Sequence, residues 1–164
     1  MKARFAAVVA LALLIGIFVP LGTTGEDEQD TTAQRAELNR QVRGLLESKK
    51  SPLAPETDLL LEQKHWKLLI AISAIESQYC TRQLGNNCWG IGGDSAYRHY
   101  SSIPEAIADA DALIERWQKK GRWLTVDDMN CHYVVPCNPN WVSVVNRNLE
   151  ILTTYERRAG TIPQ

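Results

Sequence analysis

The sequence predicts a mainly α-helical domain with a small irregular or β lobe inserted after its first core helix. Apolar residues recur at three- and four-residue steps in several segments, each beside a helix start or stop signal. Between the first two core segments, residues 81–102 contain four glycines and two asparagines but few apolar runs. That composition predicts loops with at most a short hairpin around residues 89–91 and 97–100.

The first core helix is predicted over residues 59–79, with Thr57 or Asp58 as its cap. Its second half includes "LLIAISAI", which is apolar on nearly every side and therefore typical of a buried helix. Glu76 follows directly and closes the last turn. An ordinary surface helix places its carboxylates on the polar face, so this acid at the end of an apolar run calls for an explanation.

The second core helix has clear signals at both ends. Ser102 and Glu105 have the spacing of a capping box, and Pro104 stands in the first turn, where proline is tolerated. Gly121 is the stop signal. The apolar face is formed by Ile103, Ile107, Ala110, Ile114 and Trp117.

Two more helices complete the domain. A short third helix is predicted after Thr125, with Asp127 and Asp128 in its first turn. Asn140 is the predicted cap of the final helix, and Trp141 at its start is interpreted as a packing residue. One face of that helix carries Val142, Val145, Leu149 and Leu152.

The N-terminal residues 1–25 have the pattern of an export signal. Lys2 and Arg4 precede an almost unbroken apolar stretch from Phe5 to Leu21. The pattern leaves open whether this segment is a cleaved signal peptide or an uncleaved membrane anchor. In both cases the rest of the chain is predicted to lie outside the cytoplasmic membrane, either secreted or anchored to it through the apolar segment.

Residues 26–58 are predicted to be a polar spacer that contains an amphipathic helix at about 33–49. An alternative is that this helix packs on the domain as an extra element. The domain itself is expected to span residues 59–158.

The four cysteines form two close pairs in the sequence. The simplest of the three possible connectivities joins Cys80 to Cys88 and Cys131 to Cys137. Disulfides suit the oxidising compartment that the N-terminus predicts. A zinc site is the alternative, with His132 beside Cys131, but neither cysteine spacing is that of a structural zinc site.

Charge and histidine placement limit the classes of ligand. The net charge of −1 provides no basic field for nucleic acid, so no nucleic-acid partner is expected. His65, His99 and His132 show no metal-ligand spacing. No metal and no organic cofactor are therefore predicted.

Glu76 is the residue whose position suggests chemistry. A carboxyl group at the end of a buried apolar helix is expected to hold its proton, because desolvation disfavours the charged form. Cleavage of a glycosidic bond needs such an acid, since the leaving oxygen must be protonated as the bond breaks. The alternative is that Glu76 lies on a solvent-facing stripe or caps a neighbouring loop.

Four segments in order resemble the glucosaminidase domain of glycoside hydrolase family 73. They are "ES" at 76–77, "NNCWGI" at 86–91, "YSSIPEAIADADALI" at 100–114 and "YVVPCNPNW" at 133–141. The resemblance covers residues 59 to about 155. Members of this family cleave peptidoglycan on a lysozyme-like fold, so the resemblance implies that fold and that substrate class.

The resemblance also implies roles for individual residues. Glu76 falls on the catalytic acid of the family, and Tyr133 falls on its active-site tyrosine. Asn86, Asn87, Trp89 and Tyr100 fall on segments of the substrate cleft. Three of these four have structural alternatives: the asparagines also suit a turn, and Trp89 also suits a core.

Two departures from the family pattern bear on the site. Cys80 stands where the family often has glycine, and a Cys80–Cys88 bridge could hold the turn instead. A second carboxylate has no sure counterpart; Asp94 is the nearest candidate for it, although an aspartate after two glycines is also typical of a turn.

The predicted function is therefore an exported hydrolase of peptidoglycan glycan strands, of the endo-β-N-acetylglucosaminidase type, with Glu76 as general acid. One alternative is a lytic transglycosylase on the same fold. Another is a non-catalytic protein of the cell envelope that binds peptidoglycan.

Overall fold

The computed structural model of the protein describes residues 24–92 and 96–162. The segment predicted as signal peptide or anchor lies almost wholly outside these residues, and so does Asp94. Within the described ranges, no helix is both long enough and apolar enough to cross a membrane.

The fold is mainly helical, as predicted. In the described residues the helices are α1 (Thr24–Ser48), α2 (Thr57–Glu62), α3 (Trp66–Glu76), α4 (Ile103–Lys119), α5 (Val126–Met129) and α6 (Pro139–Ala159). The lobe between α3 and α4 is irregular: where the structure describes it, it has one isolated bridge between Leu84 and Asn87 and no strand. Arg98 donates its backbone N–H to the Ile91 carbonyl at 3.0 Å, which is all that the described residues show of the expected hairpin.

The hydrophobic core is built around α3. This helix packs against α6, α4 and α2, and its apolar sequence is buried on several sides, as predicted from "LLIAISAI". Its buried apolar residues are Trp66, Leu69, Ile70, Ala71 and Ile72. A helix enclosed in this way is a firm support for the residue at its C-terminal end, Glu76.

The predicted spacer helix belongs to the same core as the domain. Helix α1 packs on α6, and its Leu38, Val42 and Leu46 are buried. Burying each of these side chains contributes about 1.5–3 kcal/mol to stability. A spacer helix that did not pack on the domain would lack this contribution. The prediction of a separate spacer is therefore wrong for this helix, and the alternative of a packed element describes it. The helix also begins at Thr24 rather than near residue 33.

The helix predicted over residues 59–79 is divided into α2 and α3. At the break, the His65 backbone N–H donates to Oδ1 of Asp111 at 2.9 Å. The His65 ring is held by the same oxygen at 3.0 Å and by Gln118 at 2.9 Å, both on α4. These tertiary bonds replace the helical ones. The helix also ends at Glu76, because residues 78–80 have positive φ angles.

The predicted caps of α4 and α5 are largely present. The Ser102 hydroxyl accepts the Glu105 backbone N–H, but the Glu105 carboxylate bonds Ser101 rather than Ser102. The capping box of α4 is therefore half formed. The box of α5 is complete, between Thr125 and Asp128.

Helix α6 begins slightly earlier than predicted. The cap is Asn138 rather than Asn140, and its side chain accepts the backbone N–H groups of Asn140 and Trp141. Pro139 occupies the first helical position, where its missing N–H costs nothing. This start places Trp141 in the first turn of α6.

Candidate active site

A cleft of about 670 Å³ opens at the C-terminal end of α3. Its walls come from α3, the loop after the first disulfide, helix α4, the loop after α5 and the start of α6. The apolar lining consists of Ile75, Ile91, Leu113, Trp123, Val134 and Val135. The side chains that can form hydrogen bonds there are Glu76, Trp123, His132, Tyr133, Asn138 and Trp141.

Glu76 and Trp141 form the central polar contact of the cleft. The indole N–H of Trp141 donates to Oε1 of Glu76 at 2.7 Å. Trp141 is 2% exposed, so this donor is held by packing. Sequence reasoning interpreted Trp141 as a packing residue only. Tryptophan at a helix start is a common packing pattern, and nothing in the local sequence indicates a bond to a residue 65 positions away.

The surroundings of the Glu76 carboxyl favour its protonated form. The residue is exposed to the cleft, yet protein encloses much of its carboxyl group. This burial raises the pKa of Glu76 above its ordinary value of 4.5, and it outweighs the hydrogen bond from Trp141, which lowers the pKa. The direction is the one predicted from the apolar helix.

Gly90 lies directly beside Glu76. Its φ angle is +64°, in the left-handed region that favours glycine. A Cβ atom at this position would lie 3.2 Å from Oε2 of Glu76. The glycine therefore lets the loop backbone approach the acid without a side chain of its own against Oε2.

Tyr133 lines the cleft but does not hold Glu76. Its hydroxyl donates a hydrogen bond to the backbone carbonyl of Trp89. Burial raises the pKa of Tyr133 well above its ordinary value, and the charge of Glu76 raises it further. The phenol is therefore a neutral donor that joins the two loops forming the sides of the cleft. Its ring centroid lies 5.5 Å from that of Trp141.

Asn87 stabilises the glycine-rich loop from within. Its side chain is 1% exposed, and its amide nitrogen donates to the carbonyls of Ile91 and Arg98 at 2.8 and 3.0 Å. Its Oδ1 accepts the backbone N–H groups of Ile91 and Trp89. Every hydrogen-bonding position of the amide is thus used inside the protein. Of the two roles considered for Asn87, the structure shows the turn-forming one.

The other three substrate-binding candidates also build this loop. Asn86 has a φ of +58° and donates to the Tyr100 carbonyl at 2.9 Å. Trp89 is 1% exposed and donates its indole N–H to the Leu69 carbonyl, so it is a core residue below the cleft. The Tyr100 hydroxyl donates to Asp109 at 2.6 Å, and burial together with that carboxylate raises its pKa to about 12. None of the four lines this cleft in the described residues. Their assignment to direct substrate contact stays a prediction.

Glu76 is the one carboxylate that lines the cleft within the described ranges. Asp94, the candidate for a second carboxylate, lies outside them. Asp127 and Asp128 stand in the first turn of α5, as predicted, and Asp128 takes part in its capping box. The described residues therefore give no distance between two catalytic carboxylates.

The predicted disulfide pairing is confirmed, with Cys80 bonded to Cys88 and Cys131 bonded to Cys137. The first bridge is buried, whereas both cysteines of the second are exposed. The bridges leave no free thiolate for the alternative zinc site. In the part of the chain that the structure describes, no three His, Cys, Asp or Glu side chains are grouped to hold a metal ion. Two disulfides indicate an oxidising compartment outside the cytoplasm.

Comparison of the chain with known protein families, with curated proteins and with solved structures finds no match in any of the three.

Proposed function

We propose that this protein is an exported enzyme that cleaves the glycan strands of peptidoglycan, with Glu76 as the general acid. One observation carries the proposal: a carboxyl group with a raised pKa lies in an open cleft and is held there by a buried indole N–H. The peptidoglycan substrate is supported by the motif resemblance and by the disulfides, which suit an extracytoplasmic compartment.

The chemistry requires a proton at the glycosidic oxygen as its bond to the sugar breaks. Glu76 holds a proton at higher pH than an ordinary carboxyl group, so it can supply one. The cleft volume lies in the range of pockets that enclose small ligands, which fits a few sugar units. The group on the opposite face of the sugar would be a water molecule, the N-acetyl group of the substrate, or Asp94.

The test is digestion of purified peptidoglycan by the wild type and by Glu76→Gln, with the released fragments identified by mass spectrometry. The glutamine keeps the shape of the acid and an acceptor for Trp141 but has no acidic proton. We expect a loss of at least about 100-fold, the usual size of general-acid catalysis. Glu150→Gln, on the exposed surface of α6, is the matched control and should retain full activity. A Glu76→Gln variant that digests peptidoglycan at the wild-type rate would overturn the proposal.

A lytic transglycosylase is a second candidate, because Glu76 is the one carboxylate lining the cleft in the described residues and that reaction needs a single acid. The same digestion distinguishes the two activities. Fragments with 1,6-anhydro ends indicate a transglycosylase, and reducing ends indicate a hydrolase. Retention of the protein on insoluble peptidoglycan without any fragment release would instead indicate a binding protein.

A further inference from the structure

We infer that Trp141 is a positioning residue that keeps the acidic proton on Oε2 of Glu76, the carboxyl oxygen beside Gly90. The catalytic meaning of this inference rests on the proposed function. The position of the proton does not, because it follows from the hydrogen bonds of the folded protein.

The direction of the Glu76–Trp141 hydrogen bond determines which oxygen is protonated. An indole N–H can only donate, so Oε1, at 2.7 Å, must accept. In a protonated carboxyl group the carbonyl oxygen is the better acceptor, and the hydroxyl oxygen is the donor. The proton is therefore placed on Oε2.

The surroundings of Oε2 suit a proton donor. This oxygen lies beside Gly90, where a Cβ atom would come within 3.2 Å of it. Both Glu76 and Gly90 line the cleft. A proton on Oε2 can thus be presented to a substrate oxygen, whereas a proton on Oε1 would face the indole.

Trp141 is suited to this role because its own position is fixed. It stands in the first turn of α6, and the Asn138 side chain that caps this helix accepts the Trp141 backbone N–H. Its ring is buried and lies against Tyr133. A donor held at the start of a helix and by an aromatic neighbour has little freedom to follow the carboxyl group, so the carboxyl group must orient to it.

The hydrogen bond also changes the pKa of Glu76 in a known direction, which can be measured. Trp141 lowers the pKa of Glu76, while burial raises it by more. Removing the N–H should therefore raise the pKa further. The other titratable groups around Glu76 in the described residues are Tyr133, Tyr97 and His132, and all three remain when Trp141 is replaced.

The test is the titration of Glu76, followed by carboxyl ¹³C NMR, in the wild type, Trp141→Phe and Trp123→Phe, with Glu76→Gln to assign the signal. Trp123 also lines the cleft, but its indole does not bond Glu76, so it is the matched control. We expect Trp141→Phe to raise the pKa of Glu76 and Trp123→Phe to leave it in place. An unchanged or lowered pKa in Trp141→Phe would overturn the inference.

Two further measurements keep the test decisive. If Trp141→Phe does not fold, the wild type alone provides the test. The chemical shift of its Trp141 indole N–H should then change with pH at the pKa of Glu76. A chemical shift that does not change at this pKa would count against the inference. With active enzyme, Trp141→Phe should lower kcat by up to about 100-fold, the cost of a misplaced catalytic group. The basic limb of its pH profile should also move to higher pH. If the pKa moves but the wild type releases no glycan fragments, the proposed function fails while the proton assignment stands.

Discussion

Gly90 and Glu76 lie side by side in the cleft lining: a Cβ atom on Gly90 would come within 3.2 Å of Oε2 of Glu76. The loop backbone therefore approaches the acid more closely than a residue with a side chain would permit. A methyl group added at Gly90 should therefore affect activity as well as stability.

Gly90→Ala should lower both stability and activity. The positive φ angle of Gly90 makes any side chain unfavourable, at a cost of about 1 kcal/mol or more. The added methyl group would also crowd Oε2 and reduce glycan cleavage. Thermal unfolding and the rate of peptidoglycan digestion measure the two effects.

Gly121→Ala is the control for Gly90→Ala, because Gly121 has a similar φ of +69° and open space around it. It should lose a similar amount of stability and keep its activity. Equal activity losses in the two variants would show that the contact with Glu76 is unimportant.

Tyr133→Phe should lower stability, mainly by removing the hydrogen bond that joins the two loops at the sides of the cleft. The substitution removes the hydroxyl that donates to the Trp89 carbonyl and leaves that carbonyl without this partner. The expected cost is about 1–3 kcal/mol of unfolding free energy, measured by denaturant titration. Because Tyr133 is neutral, the pH profile of activity should not move. A loss of activity as large as that of Glu76→Gln in a stable Tyr133→Phe protein would instead assign Tyr133 to direct contact with the substrate.

Glu76→Gln should change how stability depends on pH. Because the pKa of Glu76 is higher in the folded protein than its ordinary value of 4.5, the folded state binds more protons between these two values. The contribution of Glu76 to stability is therefore present at lower pH and is lost as the pH rises through this interval. The amide side chain in Glu76→Gln cannot ionise, so this variant does not lose stability in this way as the pH rises. Its Tm relative to that of the wild type should rise as the pH increases above 4.5, the ordinary pKa of a glutamate. A Tm difference independent of pH would contradict the raised pKa.

The two disulfides should differ in their response to a reductant. Cys131 and Cys137 are exposed, whereas Cys80 and Cys88 are 1% and 0% exposed. Mild reduction followed by alkylation and mass spectrometry should modify the outer pair first. Activity should fall at that stage, before the protein unfolds, because the outer loop carries Tyr133 into the cleft. Labelling of the inner pair first would show that the buried bridge is more accessible than its position indicates.

The helices were predictable where local patterns determine them. Apolar spacing, the Ser102 and Thr125 caps and the stop at Gly121 act between residues a few positions apart, and α4 and α5 follow them closely. The break before α3 could not be foreseen, because it depends on bonds from His65 to Asp111 and Gln118 on another helix. No propensity of residues 63–65 indicates those distant partners.

The candidate site also has one residue that local sequence predicts and others that it does not. Glu76 could be identified because an acid after a long apolar run is unusual within a single helix. The motif predicts substrate contact for the asparagines and Trp89. The asparagine side chains donate to backbone carbonyls of the loop, and the Trp89 indole donates to the Leu69 carbonyl of α3. Motifs show which residues occur together and not which way each side chain points.

The sequence by itself determined a mainly helical fold and the acid at the end of a buried helix, because each depends on neighbours along the chain. It left three connectivities open for the cysteines, of which the simplest is the one present. Only the tertiary structure decided that α1 packs into the core, that Gly90 lies beside Oε2, and that Trp141 donates to Oε1. These contacts join distant segments, and they form because burying apolar faces brings α1, α3 and α6 together.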